Sequence, residues 1–419
     1  MEKALLVTVK LKSAKDNWPV EDMAEELEEL VLACPADIKE HVTYLSEKPT
    51  PNFFIGAGKV EEISLLSQEL GVDTVIFGCD LSGVQQRNLE DLIGKKTIDR
   101  TQLILHIFAR HAKSPEAKLQ VELAQLQYLM PRLIGKGLIL SRTGGGIGTS
   151  GPGEQRLEVD RRRIRKHIDK LRNDLKDYAQ HRLNIKKKRK ENALPSVALV
   201  GYTNAGKSTL LNALTGAGQV VDDSLFTTLD TLSRGMSLPN GERVIISDTV
   251  GFLHNLPHHL IEAFKATLEE VVDADLLIHV LDISHPRVYE RSQSVFAVLK
   301  ELKAQDRTIL TALNKIDLLD DLTWLERLKT DFPGSIPISS SSGENLNILL
   351  ANMQDKFSAR MTRLQVLIPL KRMDLVDLFY RQAKVEEIRY LQEGIKIKLT
   401  LPKILSHKLL NDQDIKKLD

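Results

Sequence analysis

Gly201-Tyr202-Thr203-Asn204-Ala205-Gly206-Lys207-Ser208-Thr209 is the stretch on which the reading of this 419-residue chain turns. It follows the apolar run Val197-Ala198-Leu199-Val200, which reads as a buried strand, and it opens Thr209-Leu210-Leu211-Asn212-Ala213-Leu214, which reads as a helix. That strand–loop–helix setting is what the phosphate-binding pattern G-x-x-x-x-G-K-[ST] requires. Gly201 and Gly206 let the backbone turn tightly and bring N–H groups to phosphate oxygens, at the positive end of the following helix. Lys207 is placed to reach the outer phosphates and the Ser208 hydroxyl to hold magnesium.

Four further segments, in order, indicate which base is bound. Phe226-Thr227-Thr228-Leu229-Asp230 lies where a mobile loop supplies a second hydroxyl to magnesium and a backbone N–H to the γ-phosphate, with Thr228 the first choice and Thr227 its near alternative. Arg243–Ser247 reads as a strand ending in Asp248-Thr249-Val250-Gly251. Asp248 is expected to hold a magnesium-bound water, and the Gly251 N–H to contact the γ-phosphate. Ile309–Leu313 then runs into Asn314-Lys315-Ile316-Asp317, where a carboxylate can accept two hydrogen bonds from the guanine N1–H and exocyclic amine. Adenine offers no matching donor pair, so Asp317 selects guanine. Finally Ser339-Ser340-Ser341 is expected to set a backbone N–H against the guanine carbonyl. Together the five segments predict binding of GTP and GDP, with Lys207, Thr228 and Gly251 serving hydrolysis.

Phe252 stands where many regulatory GTPases carry a glutamine that orients the attacking water. A phenyl ring cannot hydrogen-bond water, so slow unassisted hydrolysis and stimulation by a partner are expected. The amide oxygen of Asn204 offers a ligand for a monovalent cation such as potassium beside the phosphates.

At 419 residues, with 42% hydrophobic and 27% charged residues and a net charge of +1, the chain is long enough for several domains and extreme in nothing. Cys34 and Cys79 have no spacing that suggests a disulfide scaffold or zinc site. The first ten residues read as a strand rather than a signal peptide, and no apolar run approaches the length of a membrane span. A soluble, cytoplasmic monomer is expected, with room for peripheral membrane association.

Up to about residue 112 strand and helix signals alternate: Leu5–Val9, Val20–Cys34, His41–Leu45, Lys59–Leu70, Thr74–Phe77, Gly83–Ile93, Lys96–Ile98 and a helix from Arg100. The alternation predicts a small α/β unit. Phe54-Ile55-Gly56-Ala57-Gly58-Lys59 looks like a phosphate loop but lacks the Gly-Lys-Ser spacing, and reads better as a strand–turn–helix joint. Residues 113–192 are helical: Leu119, Leu123, Leu126 and Met130, then Leu157, Ile164, Ile168, Leu171, Leu175 and Tyr178, form two apolar stripes of a helical hairpin. Its tip carries six glycines between Gly144 and Gly153, a loop too costly to order without a use. Between Asp160 and Lys190 lie fourteen Lys/Arg against four Asp/Glu, an excess of ten positive charges, so polyanionic RNA or DNA is the natural partner. With no base-reading motif present, structured RNA recognised by shape or backbone fits best. A P-loop domain is expected over 193–358 and a small α+β module over 359–419, with strands Leu364–Ile368, Val385–Leu391 and Ile395–Leu401 and a helix Met373–Gln382.

With these residues laid out, the chain resembles the HflX family of ribosome-associated GTP-binding factors. The likeness runs from Phe54–Glu61 through Gln85–Glu90, Asp99-Arg100-Thr101 and Lys118–Leu126, and is most specific at Gly144–Glu154 followed by Leu157-Glu158 and Asp160–Ile164. It implies an N-terminal region that binds the large ribosomal subunit and its rRNA, a glycine-rich tip reaching toward the peptidyl transferase region, and a role in splitting or rescuing stalled ribosomes under stress. Phe252 is the hydrophobic substitution typical of the group. Some relatives are also credited with ATP use and RNA unwinding, which leaves an ATP-dependent RNA remodeller as one alternative and a large-subunit assembly or checkpoint GTPase as another. Gln155-Arg156, Ser340 and His106 depart from the commoner residues.

Overall fold

The structure, a computed structural model, describes residues 1–13, 18–132, 152–191, 194–216, 232–254, 257, 260, 265–319, 321–358, 360–403, 406 and 415–418. The described residues fall into two compact units, the first drawn from Met1–Ala179 and Leu256–Lys265, the second from Gln180–Val221, Thr231–Asn255 and Ala266–Asp419.

The first unit alternates β1 (Glu2–Leu11), α1 (Val20–Leu32), β2 (Ala36–Ser46), α2 (Ala57–Glu69), β3 (Thr74–Phe77), α3 (Gly83–Ile93), β4 (Lys96–Ile98) and α4 (Arg100–His111). Its four strands form a parallel sheet in the order β2-β1-β3-β4. β1 and β3 are buried, as interior strands of a helix-covered parallel sheet must be, whereas β2 lies at the edge and carries Asp37, Lys39 and Glu40. The joint before α2 is not a phosphate loop in shape: Gly56 is the N-cap, and Lys59 turns back to donate to the Leu45 carbonyl at 2.8 Å.

Two long helices follow, α5 (Pro115–Arg132) and α6 (Pro152–Glu191), of which α6 belongs to this unit as far as Ala179. They meet along the expected apolar seam, Leu123 packing with Ile168 and Leu171 while Leu119, Leu126, Met130, Ile164 and Leu175 flank them. Arg162, Arg163, Arg165, Lys166, Lys170 and Arg172 are exposed. Residues 133–151, with the tip from Ser141 to Gly151, lie outside the described residues, as do the side chains within 152–158, among them Glu154 and Leu157. At the end of α5, Arg132 is tied to the parallel sheet through Asp99 Oδ2 at 3.0 Å and the Leu81 carbonyl at 2.6 Å. The Asp99 carboxylate also accepts from Tyr128 and the Gln102 N–H, so the root of the hairpin is fixed by a buried polar network.

The second unit holds a six-stranded sheet of order β10-β9-β8-β5-β7-β6: β5 (Ser196–Val200), β6 (Leu232–Ser237), β7 (Arg243–Asp248), β8 (Leu276–Asp282), β9 (Ile309–Asn314) and β10 (Ile336–Pro337). All neighbours are parallel except β6 and β7. Its helices are α7 (Lys207–Thr215), α8 (Lys265–Asp273), α9 (Val288–Glu301), α10 (Leu322–Asp331) and α11 (Leu346–Ser358). Leu199, Ile246, Ile278 and Val280 pack with Leu210, Leu211, Leu349 and Met353 in one core, and Leu281, Leu313, Val288 and Leu328 in another. Strand order reverses around β5, the place where open α/β sheets take ligands at their carboxyl ends.

Beyond α11, β11 (Met361–Ile368), α12 (Met373–Gln382), β12 (Lys384–Leu391), β13 (Gly394–Pro402) and β14 (Lys416–Leu418) form an antiparallel sheet of order β12-β13-β11-β14, with α12 packed on it.

Candidate nucleotide site

Four of the five predicted segments meet at the carboxyl edge of the six-stranded sheet. The loop between β5 and α7 is tightly enclosed. A Cβ on Gly201 would lie 2.4 Å from the Val280 carbonyl, and one on Gly206, whose φ is +89°, would lie 2.3 Å from Asn314 Nδ2. Both positions require glycine for space, and Gly206 for conformation as well. Lys207 opens α7 and is buried, its Nζ donating to the carbonyls of Tyr202 at 2.7 Å and Gly201 at 3.2 Å. Burial pulls its pKa down to about 8, against the opposing pull of the Asp248 carboxylate.

Ser208 Oγ donates to Asp248 Oδ2 at 2.6 Å, joining the start of α7 to the end of β7. Thr249 Oγ1 donates to the Leu199 carbonyl at 2.6 Å, and Val250 is buried. Gly251 lies against the loop: a Cβ there would be 2.7 Å from Thr203 Cγ2 and 3.2 Å from Lys207 Nζ. The segment Phe226–Asp230, with Thr227, Thr228 and Leu229, lies outside the described residues.

On the far side, Asn314 ends β9 and joins two loops. Its Nδ2 donates to the Ala205 carbonyl at 2.8 Å, while Oδ1 accepts from Ser340 N at 3.0 Å and Ser340 Oγ at 2.9 Å. Asp317, in the 3₁₀ turn Ile316–Leu318, is exposed and accepts from Ser341 Oγ at 3.0 Å. The Ser339 hydroxyl, then that of Ser341, hold its carboxyl below the usual range, so it is ionised at neutral pH. Ser339 is buried beneath the turn. The Ser340 hydroxyl adds a second donor to Asn314.

Asp282 was not anticipated. It ends β8 opposite Asn314, takes the Lys315 ammonium at 2.7 Å, and accepts from Ser284 N and Oγ at 3.0 and 2.6 Å. Lys315 sits at a φ of +69°, a strained conformation for a side-chain-bearing residue, and the ion pair holds it there. The available signal was an acid closing an apolar strand, the same arrangement that picked out Asp248.

Family profiles cover the chain in series: GTP-binding GTPase N-terminal over residues 21–109, GTP-binding GTPase Middle Region over 111–189, 50S ribosome-binding GTPase over 196–315 and HflX C-terminal domain over 326–411. GTPase HflX of Caldanaerobacter subterraneus subsp. tengcongensis is 42% identical over 410 residues, 98% of this chain and 93% of that one. The chain belongs to the HflX family of GTPases. GTPase HflX of Escherichia coli K12 is 37% identical over 403 residues, 96% of this chain and 94% of its own. Among solved structures, a GTP-binding protein from Sulfolobus solfataricus in complex with GDP is 27% identical, covers 86% of this chain and 99% of its own, and superposes with a TM-score of 0.44. The HflX membership makes this protein a GTPase with an N-terminal region, a P-loop domain and a C-terminal domain. No described helix is long and apolar enough to cross a membrane.

Proposed function

We propose that this HflX GTPase binds the large ribosomal subunit and its rRNA through the basic face of α6 and the glycine-rich tip. In this reading GTP favours the ribosome-bound form, which splits or rescues stalled ribosomes, and hydrolysis releases it. The observation that carries the reading is the exposed row of arginines and lysines on α6, rooted by Arg132 and Asp99, in one chain with a P-loop domain whose profile is that of a 50S ribosome-binding GTPase.

The site residues take the following roles. The loop Gly201–Ser208 cradles the phosphates, with Lys207 on the outer pair; Gly251 and Thr228 meet the γ-phosphate, and Asp317 with Ser339–Ser341 reads guanine. Magnesium suits the oxygen donors that converge where Ser208 Oγ meets the buried Asp248 carboxylate. Ser208 and Thr228 would hold it, and it would neutralise charge developing on the phosphates. Asn204, exposed at a φ of +57°, is the candidate ligand for potassium. Phe252 is 1% exposed and offers no polar group to water, which supports slow hydrolysis until a partner rearranges the site.

Sedimentation of whole ribosomes with this protein and GTP or a non-hydrolysable analogue tests the reading. Release of free subunits is expected; intact ribosomes carrying bound protein would favour a checkpoint on the large subunit instead.

A further inference from the structure

The segment after Asp248 is clasped to the phosphate loop by a set of contacts in which Tyr202 is central. Tyr202 and Phe252 form a parallel bridge: Phe252 N donates to the Gly201 carbonyl at 3.1 Å, and Thr203 N donates to the Phe252 carbonyl at 2.9 Å. Beyond that bridge the Tyr202 hydroxyl accepts from His254 N at 2.9 Å. On α9 the Arg291 guanidinium lies 4.9 Å from the Tyr202 ring centroid, within cation–π range. Tyr202, Phe252, Leu253 and His254 are all buried. The side chain of this loop residue therefore faces the segment that follows Asp248, and its main chain alone belongs to the loop's phosphate-facing turn.

This clasp has a steric consequence. A Cβ on Gly251 would lie 2.8 Å from Thr203 Cα and 3.2 Å from Lys207 Nζ, so Gly251 is seated on the phosphate loop and crowds the space beside the ammonium. The outermost phosphate of a triphosphate belongs beside that ammonium. A γ-phosphate placed there would compete with Gly251 for that space, a demand a diphosphate does not make.

We infer that Tyr202 is a positioning residue that sets the discrimination between GTP and GDP, by pinning His254 and Phe252 on the phosphate loop in the arrangement only GDP tolerates. The inference rests on the nucleotide site described above. Removing the pin favours GTP selectively, since GDP binding does not require the clasp to open. One hydrogen bond is worth about a fivefold change in the ratio of affinities.

The test is titration of the full chain with fluorescent GDP and with a fluorescent non-hydrolysable GTP analogue, in wild type, Tyr202→Phe and Arg291→Gln, with thermal unfolding of each. Tyr202→Phe keeps the ring and removes the hydroxyl that accepts from His254 N; it is expected to shift the GDP-to-analogue affinity ratio about fivefold toward the analogue. Arg291→Gln, outside the loop, is expected to shift it the same way by a smaller factor. An unchanged ratio in folded Tyr202→Phe, or equal weakening of both nucleotides, overturns the inference. Failure of wild type to bind either guanine nucleotide would instead overturn the site assignment itself.

Discussion

Replacing Asn314 with alanine should damage the nucleotide site more than any exposed change in the guanine-contacting turn. In the structure its amide makes three buried hydrogen bonds, to the Ala205 carbonyl, the Ser340 N–H and the Ser340 hydroxyl, and Asn314 itself is 1% exposed. Truncation leaves those three groups without the partner they have now. A buried polar group so left costs about 1–3 kcal/mol. The three share one side chain and relax together, so about 3 kcal/mol is the reasonable total rather than the sum. That corresponds to a melting temperature of the nucleotide-free P-loop domain lowered by about 6–12 °C, and to a GDP affinity weakened by up to roughly a hundredfold to the extent that binding has to restore the order the amide supplied. Fluorescent GDP titration and thermal unfolding read both. Asn314→Asp is the informative companion: its carboxylate still accepts from Ser340 but meets the Ala205 carbonyl with no donor. A GDP affinity for Asn314→Ala within threefold of wild type would refute the claim that this amide ties the phosphate loop to the guanine turn.

Three other outcomes follow from the same site. Asp317→Asn should move preference from GTP toward xanthosine triphosphate with little loss of thermal stability, because Asp317 is exposed; undiminished GTP affinity in a competition assay would remove its assigned role. Lys207 has a folded pKa of about 8 against about 10.4 for an unfolded lysine, so between those values the unfolded chain binds the extra proton and stability rises with pH. In nucleotide-free urea unfolding at pH 7.5 and 9.5, wild type should gain on Lys207→Met; a constant difference would contradict the burial argument. His279, buried on β8 with its ring edge-on to Phe296, has no hydrogen-bond partner on either ring nitrogen among the described residues. Burial, then the nearby Lys207 charge, lowers its pKa to about 4, so stability falls as pH drops from about 6.5 toward 4. His279→Leu should stabilise by about 1–2 kcal/mol at pH 7 and by more at pH 5.5; equal urea midpoints for the two proteins at pH 5.5 would count against this.

The parts of the fold legible in the sequence were those set by local pattern. Gly201–Ser208 could be placed because an apolar strand, a glycine turn and a helix are consecutive, and the hairpin seam because Leu123, Ile168 and Leu171 recur at helical spacing. β2 was read as His41–Leu45 but runs Ala36–Ser46, since an edge strand tolerates charges that an interior strand does not. β14 escaped notice because Lys416–Leu418 is a short, charged edge strand held only by pairing with β11. The Asp282–Lys315 ion pair and the Tyr202–His254 contact were invisible for a different reason. Each depends on which strands and loops lie side by side, as when β8–β9 register sets Asp282 opposite Asn314, and no spacing along the chain encodes that.

The measurement that tests the central claim most directly is GTP hydrolysis with and without purified large ribosomal subunits, in wild type and in a variant lacking Gly144–Gly153. The account predicts slow hydrolysis alone, strong stimulation by the subunit, and loss of that stimulation in the deletion with the basal rate retained. Hydrolysis that is fast without the subunit, or indifferent to it in both proteins, would contradict the account and turn the search to a different activator.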